Sequence, residues 1–114
     1  MQMIRTEDNI VILTPPERLD TTSAPDVEQI VLAEIERGAS RIVIDLTETT
    51  FVSSAGLRVI LKVAKLLHQK GGKLGLCGLS EQINEVFEVS GFTTLVNVYP
   101  SFADAAEAVG QEAS

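Results

Sequence analysis

Two adjacent serines, Ser53 and Ser54, stand where an apolar pair gives way to a segment with helical spacing, within the stretch Phe51–Leu57. A serine at the start of a helix commonly caps it, which contributes on the order of 1 kcal/mol. The same position suits a phosphate group, because the free backbone amides and the positive end of the helix dipole favour an anion. Arg58 follows Ser54 by one turn, within reach of such a phosphate. These residues therefore predict either a helix cap or a phosphorylation switch.

The residue types that most enzyme sites need are absent or badly placed. His68 is the only histidine and Cys77 the only cysteine, which excludes a histidine-containing zinc cluster and a C-x-x-C redox pair. The serine pair lacks the preceding glycine of the G-x-S-x-G elbow and has no suitable histidine base. Asp20 and Asp45 could meet as paired carboxylates, although turn and cap duties explain them more simply. We therefore expect no enzyme, no metal and no cofactor, with a small serine acyl-transfer enzyme as the remote alternative.

Charge is unevenly distributed along the chain. Nine Lys and Arg against 16 Asp and Glu give a formal net charge of −7, which argues against nonspecific nucleic-acid binding. Between Thr49 and Ser80 there is no acid, yet this stretch holds five of the nine basic residues, namely Arg58, Lys62, Lys65, Lys70 and Lys73. They form either the solvated face of an amphipathic helix or a contact surface for an acidic partner.

The length of 114 residues leaves room for one domain, large enough to bury a core without disulfides or metals. The single cysteine points to a reducing compartment. No apolar run reaches the roughly 18 residues that a membrane span needs, and Met1–Arg5 lacks the features of a signal peptide. We therefore expect a cytoplasmic protein with no membrane partner, a folded domain over residues 1–110 and a flexible tail over 111–114.

Short apolar runs predict the strands of a buried sheet. Ile10–Leu13 and Arg41–Asp45 are of the kind that is covered on both faces. Leu74–Cys77 is a third such run, and Leu95–Val98 is a weaker fourth. Met1–Thr6 is predicted to pair with them as an edge strand.

Apolar residues at helical spacing predict about four helices. They start after Ser23 as an N-cap, at about Ser54, after Ser80 as an N-cap, and at about Ser101, and the first three end at glycines. Their predicted apolar faces are Ala24, Val27, Val31 and Ile35, then Leu57, Ile60, Leu61, Ala64 and Leu67, then Ile83, Val86 and Phe87, and finally Phe102, Ala105, Ala106 and Val109.

Strands that alternate with helices and short loops predict an α/β sandwich with a mostly parallel, mixed sheet of four to five strands. In such sheets, functional groups collect beyond the carboxyl ends of the strands, where helices begin. This places the expected site in the loop between Asp45 and Leu57, which contains the serine pair.

The order of motifs along essentially the whole chain resembles a STAS domain, and more closely the free-standing bacterial anti-sigma factor antagonists. The resemblance is carried by Arg18–Asp20, Ile42–Thr47, Phe51–Leu61, Gly71–Leu74 and Val86–Phe92. It implies a single-domain STAS-like α/β fold with a strand-rich face and helices packed on the other face.

The resemblance also implies a function. Such antagonists bind a serine-kinase anti-sigma factor while they are unphosphorylated, phosphorylation by that kinase dissolves the complex, and a serine phosphatase restores it. Matching the glycine of the family's motif to Gly56 implies that Ser54 is the phosphoacceptor. Asp20 matches the acidic residue of the family's G-x-L-D stretch. Together with the basic face of the predicted helix, this predicts Asp20, Ser53, Ser54, Arg58 and Lys62 as partner-binding residues.

Two positions depart from the family's pattern. Ser53 stands where the family often has Asp directly before the acceptor, and Glu17 replaces the glycine of the G-x-L-D stretch. The missing carboxylate supports an alternative in which the chain is a non-phosphorylated interaction module of a larger signalling or transport assembly.

Overall fold

Strands and helices alternate over most of the chain. The computed structural model describes residues 3–94 and 96–110. The predicted tail 111–114 lies outside the described residues, as do the first two residues of the predicted edge strand and Leu95 of the predicted fourth strand. In chain order the elements are β1 (Ile4–Glu7), β2 (Ile10–Leu13), β3 (Arg18–Leu19), α1 (Ala24–Glu36), β4 (Arg41–Asp45), β5 (Phe51–Val52), α2 (Ser54–Gln69), β6 (Lys73–Cys77), α3 (Glu81–Val89), a 3-10 turn (Phe92–Thr94), β7 (Asn97–Tyr99) and α4 (Phe102–Gly110).

Five of the strands form the central sheet, in the order β1-β2-β4-β6-β7. The edge strand β1 runs antiparallel to β2 after a tight turn in which Asp8 and Asn9 take positive φ values of 52° and 65°. The other neighbours are parallel, with Val11 beside Ile42 and Ile42 beside Leu74. The predicted mixed, mostly parallel sheet with four helices is therefore confirmed. The fourth strand was predicted over Leu95–Val98. Its described part, β7, runs from Asn97 to Tyr99 and is therefore shifted towards the carboxyl end of the chain.

The side chains of the central strands alternate between two apolar cores. In β4, Ile42 and Ile44 lie in the core that α1, α2 and α3 cover, whereas Val43 points to the opposite face. There Val43 packs with Ala105 and Val109 of α4. The expectation that helices pack on only one face is therefore wrong. The physical reason is that strands with almost wholly apolar sequences have two faces to bury.

Helix α2 buries a slightly different stripe from the one that its sequence predicts. Ile60 and Leu67 are buried as expected, while the predicted Leu57, Leu61 and Ala64 are only half-buried. The remaining buried positions of the helix are Gly56, Val59 and Val63. The stripe is rotated because α2 packs against α1 as well as against the sheet, which buries positions on both sides of the predicted line.

Two of the predicted helix starts differ in their capping. Ser80 caps α3 through its hydroxyl oxygen, which accepts from the amide of Ile83 at 3.2 Å. Ser23 occupies the N-cap position of α1, but its side chain caps no helix amide. Val86 of α3, predicted to be in the core, is 42% exposed. The short helix needs only Ile83 and Phe87, one turn apart, to cover its part of the sheet.

Candidate functional site

A second, two-stranded sheet that the sequence did not predict brings the loop before α1 to the start of α2. Strand β3 pairs in parallel with β5, so that Arg18 lies beside Phe51 and Leu19 beside Val52. The pairing continues for one more residue, because the amide of Ser53 donates to the carbonyl oxygen of Leu19 at 2.9 Å. Asp20 and the serine pair therefore meet at one surface, although they are distant in sequence.

The loops that lead into these two strands are also tied together. The hydroxyl of Thr49, a buried polar residue, donates to the carbonyl oxygen of Pro16 at 3.0 Å, and the amide of Thr50 donates to that of Glu17 at 2.8 Å. Glu17 contributes through its backbone and does not have a positive φ. A side chain in place of the family's glycine is therefore accommodated here.

Gly56 allows the first turn of α2 to lie directly against β3. A Cβ atom at this position would lie 2.6 Å from the carbonyl oxygen of Leu19 and 2.8 Å from its Cγ atom. Both distances are shorter than ordinary van der Waals contacts allow. The glycine of the motif is thus required for close packing, since its φ is not positive.

The two serines at the start of α2 have different roles. Ser53 is the N-cap residue, in an extended conformation, and its hydroxyl oxygen accepts from the amide of Gly56 at 3.4 Å. Ser54 is the first residue of the helix and is exposed, and its hydroxyl makes no hydrogen bond with any part of the chain that the structure describes. The sequence left a helix cap and an accessible hydroxyl as alternatives for this serine pair. In the structure Ser53 provides the cap and Ser54 provides the accessible hydroxyl.

Asp20 organises the other half of this surface. Its carboxylate accepts from the amides of Thr22 and Ser23 at 3.0 and 3.2 Å, and it forms an ion pair with Arg18 at 3.5 Å. The hydrogen bond from the Ser23 amide is the main cause that lowers the pKa of Asp20, and Arg18 adds to it. Asp20 therefore stabilises the entry to α1, as Ser23 was predicted to do, and offers a carboxylate near the serine pair.

Arg18 and Phe51 form a contact that no sequence pattern predicted. The guanidinium carbon of Arg18 lies 4.4 Å from the centroid of the Phe51 ring, within cation–π range. Phe51 is nevertheless 40% exposed, directly before the serines. The sequence shows only an aromatic residue just before the predicted site. It does not show that Arg18 contacts this ring, because that contact depends on the pairing of β3 with β5.

The basic face of α2 runs away from Ser54 along one row of the helix. Arg58 and Lys62 follow Ser54 at intervals of four residues, and all three are exposed, so they lie on one side. Lys62 forms an ion pair with Glu28 of α1 at 3.4 Å, whereas Arg58 has no ion pair within the described residues. Of the two predicted cations, Arg58 is thus the more accessible to a ligand.

The structure places His68 far from Ser54 and gives Asp45 a role in a turn. His68 is exposed near the other end of α2, fourteen residues or about 21 Å along the helix axis from Ser54. Asp45 accepts hydrogen bonds from the backbone and side chain of Thr47, which is a turn role. Across the described ranges, no group of three or more His, Cys, Asp or Glu could hold a metal ion. None of the helices within those ranges is long and apolar enough to cross a membrane.

Comparison with known proteins agrees with this geometry. The family model of the STAS domain matches residues 1–105. The Bordetella bronchiseptica protein BtrV, whose name describes it as an anti-sigma factor antagonist, is 40% identical over 101 residues, which cover 89% of this chain and 87% of that protein. The anti-sigma-B factor antagonist of Staphylococcus aureus is 26% identical over 93 residues, which cover 82% of this chain and 86% of that protein.

A solved structure shares the whole architecture. The crystal structure of a Thermotoga maritima protein described as an anti-sigma factor antagonist superposes with a TM-score of 0.90 at 25% identity. The match covers 95% of this chain and 93% of that one. The fold is therefore of the same type along nearly the full length of both chains.

Proposed function

Since this chain belongs to the STAS-domain family, among relatives named anti-sigma factor antagonists, we propose that it switches partners under the control of phosphorylation. The unphosphorylated protein binds a serine-kinase anti-sigma factor, and the phosphorylated protein does not. The protein is a substrate of this chemistry rather than an enzyme, and a serine phosphatase reverses the modification. The observation that carries the proposal is the exposed Ser54 hydroxyl, which makes no hydrogen bond within the described chain.

The local structure supports Ser54 as the acceptor over Ser53. The hydroxyl of Ser53 is engaged with the amide of Gly56, so phosphorylation there would remove the cap of α2. Ser54 lies in the first turn, where a dianion interacts favourably with the helix dipole. Arg58, one turn later and without an ion pair in the described chain, is available to contact the phosphate. The fold is therefore expected to survive the modification.

The same surface explains why a phosphate would release the partner. We name it the acceptor surface, defined by Asp20, Ser53, Ser54, Arg58 and Lys62. A phosphate adds about −1.5 to −2 charge at neutral pH, beside a carboxylate whose pKa is already lowered. A partner that fits a neutral hydroxyl next to Asp20 would meet a bulky dianion there, and close like charges or steric conflict strongly disfavour such an interface.

A constitutive interaction module is the second candidate, and one observation favours it. Ser53 replaces the Asp that often precedes the acceptor, so no carboxylate stands directly before Ser54. The cap formed by Ser53 weighs against this candidate, because Asp and Ser cap helices about equally well. The substitution therefore preserves the structural role of the position and removes only a charge.

Phosphopeptide mapping distinguishes the two candidates. The purified full-length protein is incubated with ATP and a lysate of its source cells, in parallel with Ser54→Ala and with Ser53→Ala as the matched control. We expect phosphate on Ser54 in the wild type and in Ser53→Ala, and none in Ser54→Ala. If a lysate that phosphorylates a control substrate leaves Ser54 unmodified, the switch is wrong and the constitutive module is supported.

A further inference from the structure

A cavity of about 630 Å³ lies at the opposite end of α2 from Ser54. It is bounded by the second half of α2, the beginning of β6, strand β7 and the end of α4. Its volume lies within the range of about 300–1,000 Å³ that is typical of small-molecule sites. The acceptor surface contributes none of its lining residues, so this cavity requires a separate explanation.

The cavity exists because β7 covers only part of β6. The pairing between these strands begins at Gly75, opposite Asn97, so Lys73 and Leu74 border the opening. Gly75 also lets the neighbouring elements close in, since a Cβ atom there would lie 3.2 Å from both the Tyr99 ring and Val109. The opening at the sheet edge therefore has a well-packed boundary on its β7 side.

Slightly more than half of the cavity wall is apolar. It is lined by Leu61 and Ala64 of α2, Leu74 of β6, Val96 before β7, and Val109 of α4. Such side chains favour an apolar body, since burial of each methylene group contributes about 0.8 kcal/mol. They provide little for a fully polar solute.

Basic side chains gather at this apolar wall. Lys65 and His68 are exposed and lie three residues apart on α2. No acidic residue lies among the lining residues that the structure describes, although the chain as a whole has 16 acids and a net charge of −7. The amide of Asn97 and the phenol of Tyr99 add hydrogen-bonding groups. The local charge is thus complementary to an anion.

We propose that this cavity binds a small organic carboxylate with an apolar body. The carboxylate contacts Lys65 and His68, and the apolar body lies along the wall between α2 and α4. This inference does not depend on phosphorylation of Ser54, and each can fail without the other.

The test is an NMR titration of the full-length protein with sodium octanoate. We expect amide shifts at Lys65, His68, Leu74 and Asn97 and none at Ser54. Acetate supplies only the head group and 1-octanol only the tail. Each should therefore bind at least about fivefold more weakly than octanoate. An absence of shifts with octanoate at millimolar concentration, or equal binding of octanol and octanoate, would overturn the proposal.

Variants assign the binding to the cavity. The double variant Lys65→Gln/His68→Gln should weaken octanoate binding about fivefold, since exposed ionic contacts contribute up to about 1 kcal/mol each. Lys70→Gln is the matched control, because it removes a nearby exposed charge that does not line the cavity. Ala64→Leu should reduce binding by filling the cavity. If Ala64→Leu does not fold, Ala108→Leu serves as the cavity-filling variant instead. Wild-type affinity in both the charge variant and the filling variant would show that octanoate binds elsewhere.

Discussion

The amide of Ser53 donates to the carbonyl oxygen of Leu19 at 2.9 Å, and this bond joins the two halves of the acceptor surface. It places the residue after Leu19, the carboxylate-bearing Asp20, next to the N-cap of α2. The position of Asp20 relative to the proposed acceptor is therefore controlled by a backbone contact.

Gly56→Ala should destabilise the protein. In an exposed helix this change stabilises by up to about 1 kcal/mol, but here the new Cβ would lie 2.6 Å from the Leu19 oxygen. Overpacking of this kind costs about 1–3 kcal/mol. Gly110→Ala is the control, because among the described residues its Cβ would meet only Ile10, at 3.6 Å. Urea unfolding measures both variants, and equal stabilities would contradict the close approach of α2 to β3.

Ser53→Ala and Ser54→Ala should differ in stability. Loss of the Ser53 cap should lower the free energy of unfolding by about 1 kcal/mol, whereas the exposed Ser54 hydroxyl has no hydrogen bond to lose within the described chain. Ser54→Ala should therefore lie within about 0.5 kcal/mol of the wild type. Thermal or urea denaturation provides the comparison. A larger loss in Ser54→Ala than in Ser53→Ala would reverse the roles assigned to the two serines.

Ser54→Asp should bind the proposed anti-sigma factor kinase at least about tenfold more weakly than the wild type, because a negative charge replaces a neutral hydroxyl. Ser54→Ala should bind in the presence of ATP as the wild type binds in its absence. Calorimetry against the ATPase that the wild type captures from its source lysate gives both affinities. Wild-type behaviour of both variants would remove the basis for a switch at this residue.

The charge of Asp20 should make the stability depend on acidic pH. Its pKa is lowered from 3.8, chiefly by the hydrogen bond from the Ser23 amide. The folded state therefore binds this proton less readily than the unfolded state. The contribution of the charged carboxylate to the free energy of unfolding is fully present above pH 3.8. It is lost as the pH falls through the lower pKa that Asp20 has in the folded state. The difference in unfolding free energy between wild type and Asp20→Asn should therefore shrink as the pH falls below 3.8. A difference that is constant from neutral pH to below pH 3.8 would contradict the assignment.

The buried Cys77 thiol should cause a loss of stability at alkaline pH. Burial, with a contribution from the charge of Asp45, raises the pKa of Cys77 from 9.0 to about 12. Above pH 9 the unfolded chain releases this proton and the folded chain retains it, so stability falls by up to about 1.4 kcal/mol per pH unit. Urea unfolding of wild type and Cys77→Ala across this range should show the difference between them narrowing as the pH rises. If the unfolding free energies of the two proteins changed in parallel with pH, the Cys77 thiol would have the same pKa in the folded and unfolded states.

Much of the site was predictable because its signals are local. A helix start, its two serines, the following glycine and Arg58 all lie within six consecutive positions, and the spacing of a helix determines which of them share a side. The contact between Arg18 and Phe51 was not predictable in this way. Strands β3 and β5 have two residues each, which is too short for a periodic pattern to be visible.

The choice between the two serines shows the same limit. A serine at either position favours an N-cap. Only the direction in which the chain leaves β5 determines that Ser53 caps the helix and that Ser54 remains exposed. That direction depends on the bond between Ser53 and Leu19. It is a contact between distant segments, which no local pattern encodes.

The amino-acid sequence alone determined the order of the helices and of the longer strands, together with the helix starts, because apolar periodicity and capping residues act over a few neighbouring positions. The family resemblance rests on the order of its motifs along the chain. Tertiary packing decided that α4 covers the second face of the sheet, that Gly56 lies against Leu19, and that an opening remains beside β6. These features depend on which surfaces meet when the chain folds, and burial of apolar area and the exclusion of overlapping atoms select among those arrangements.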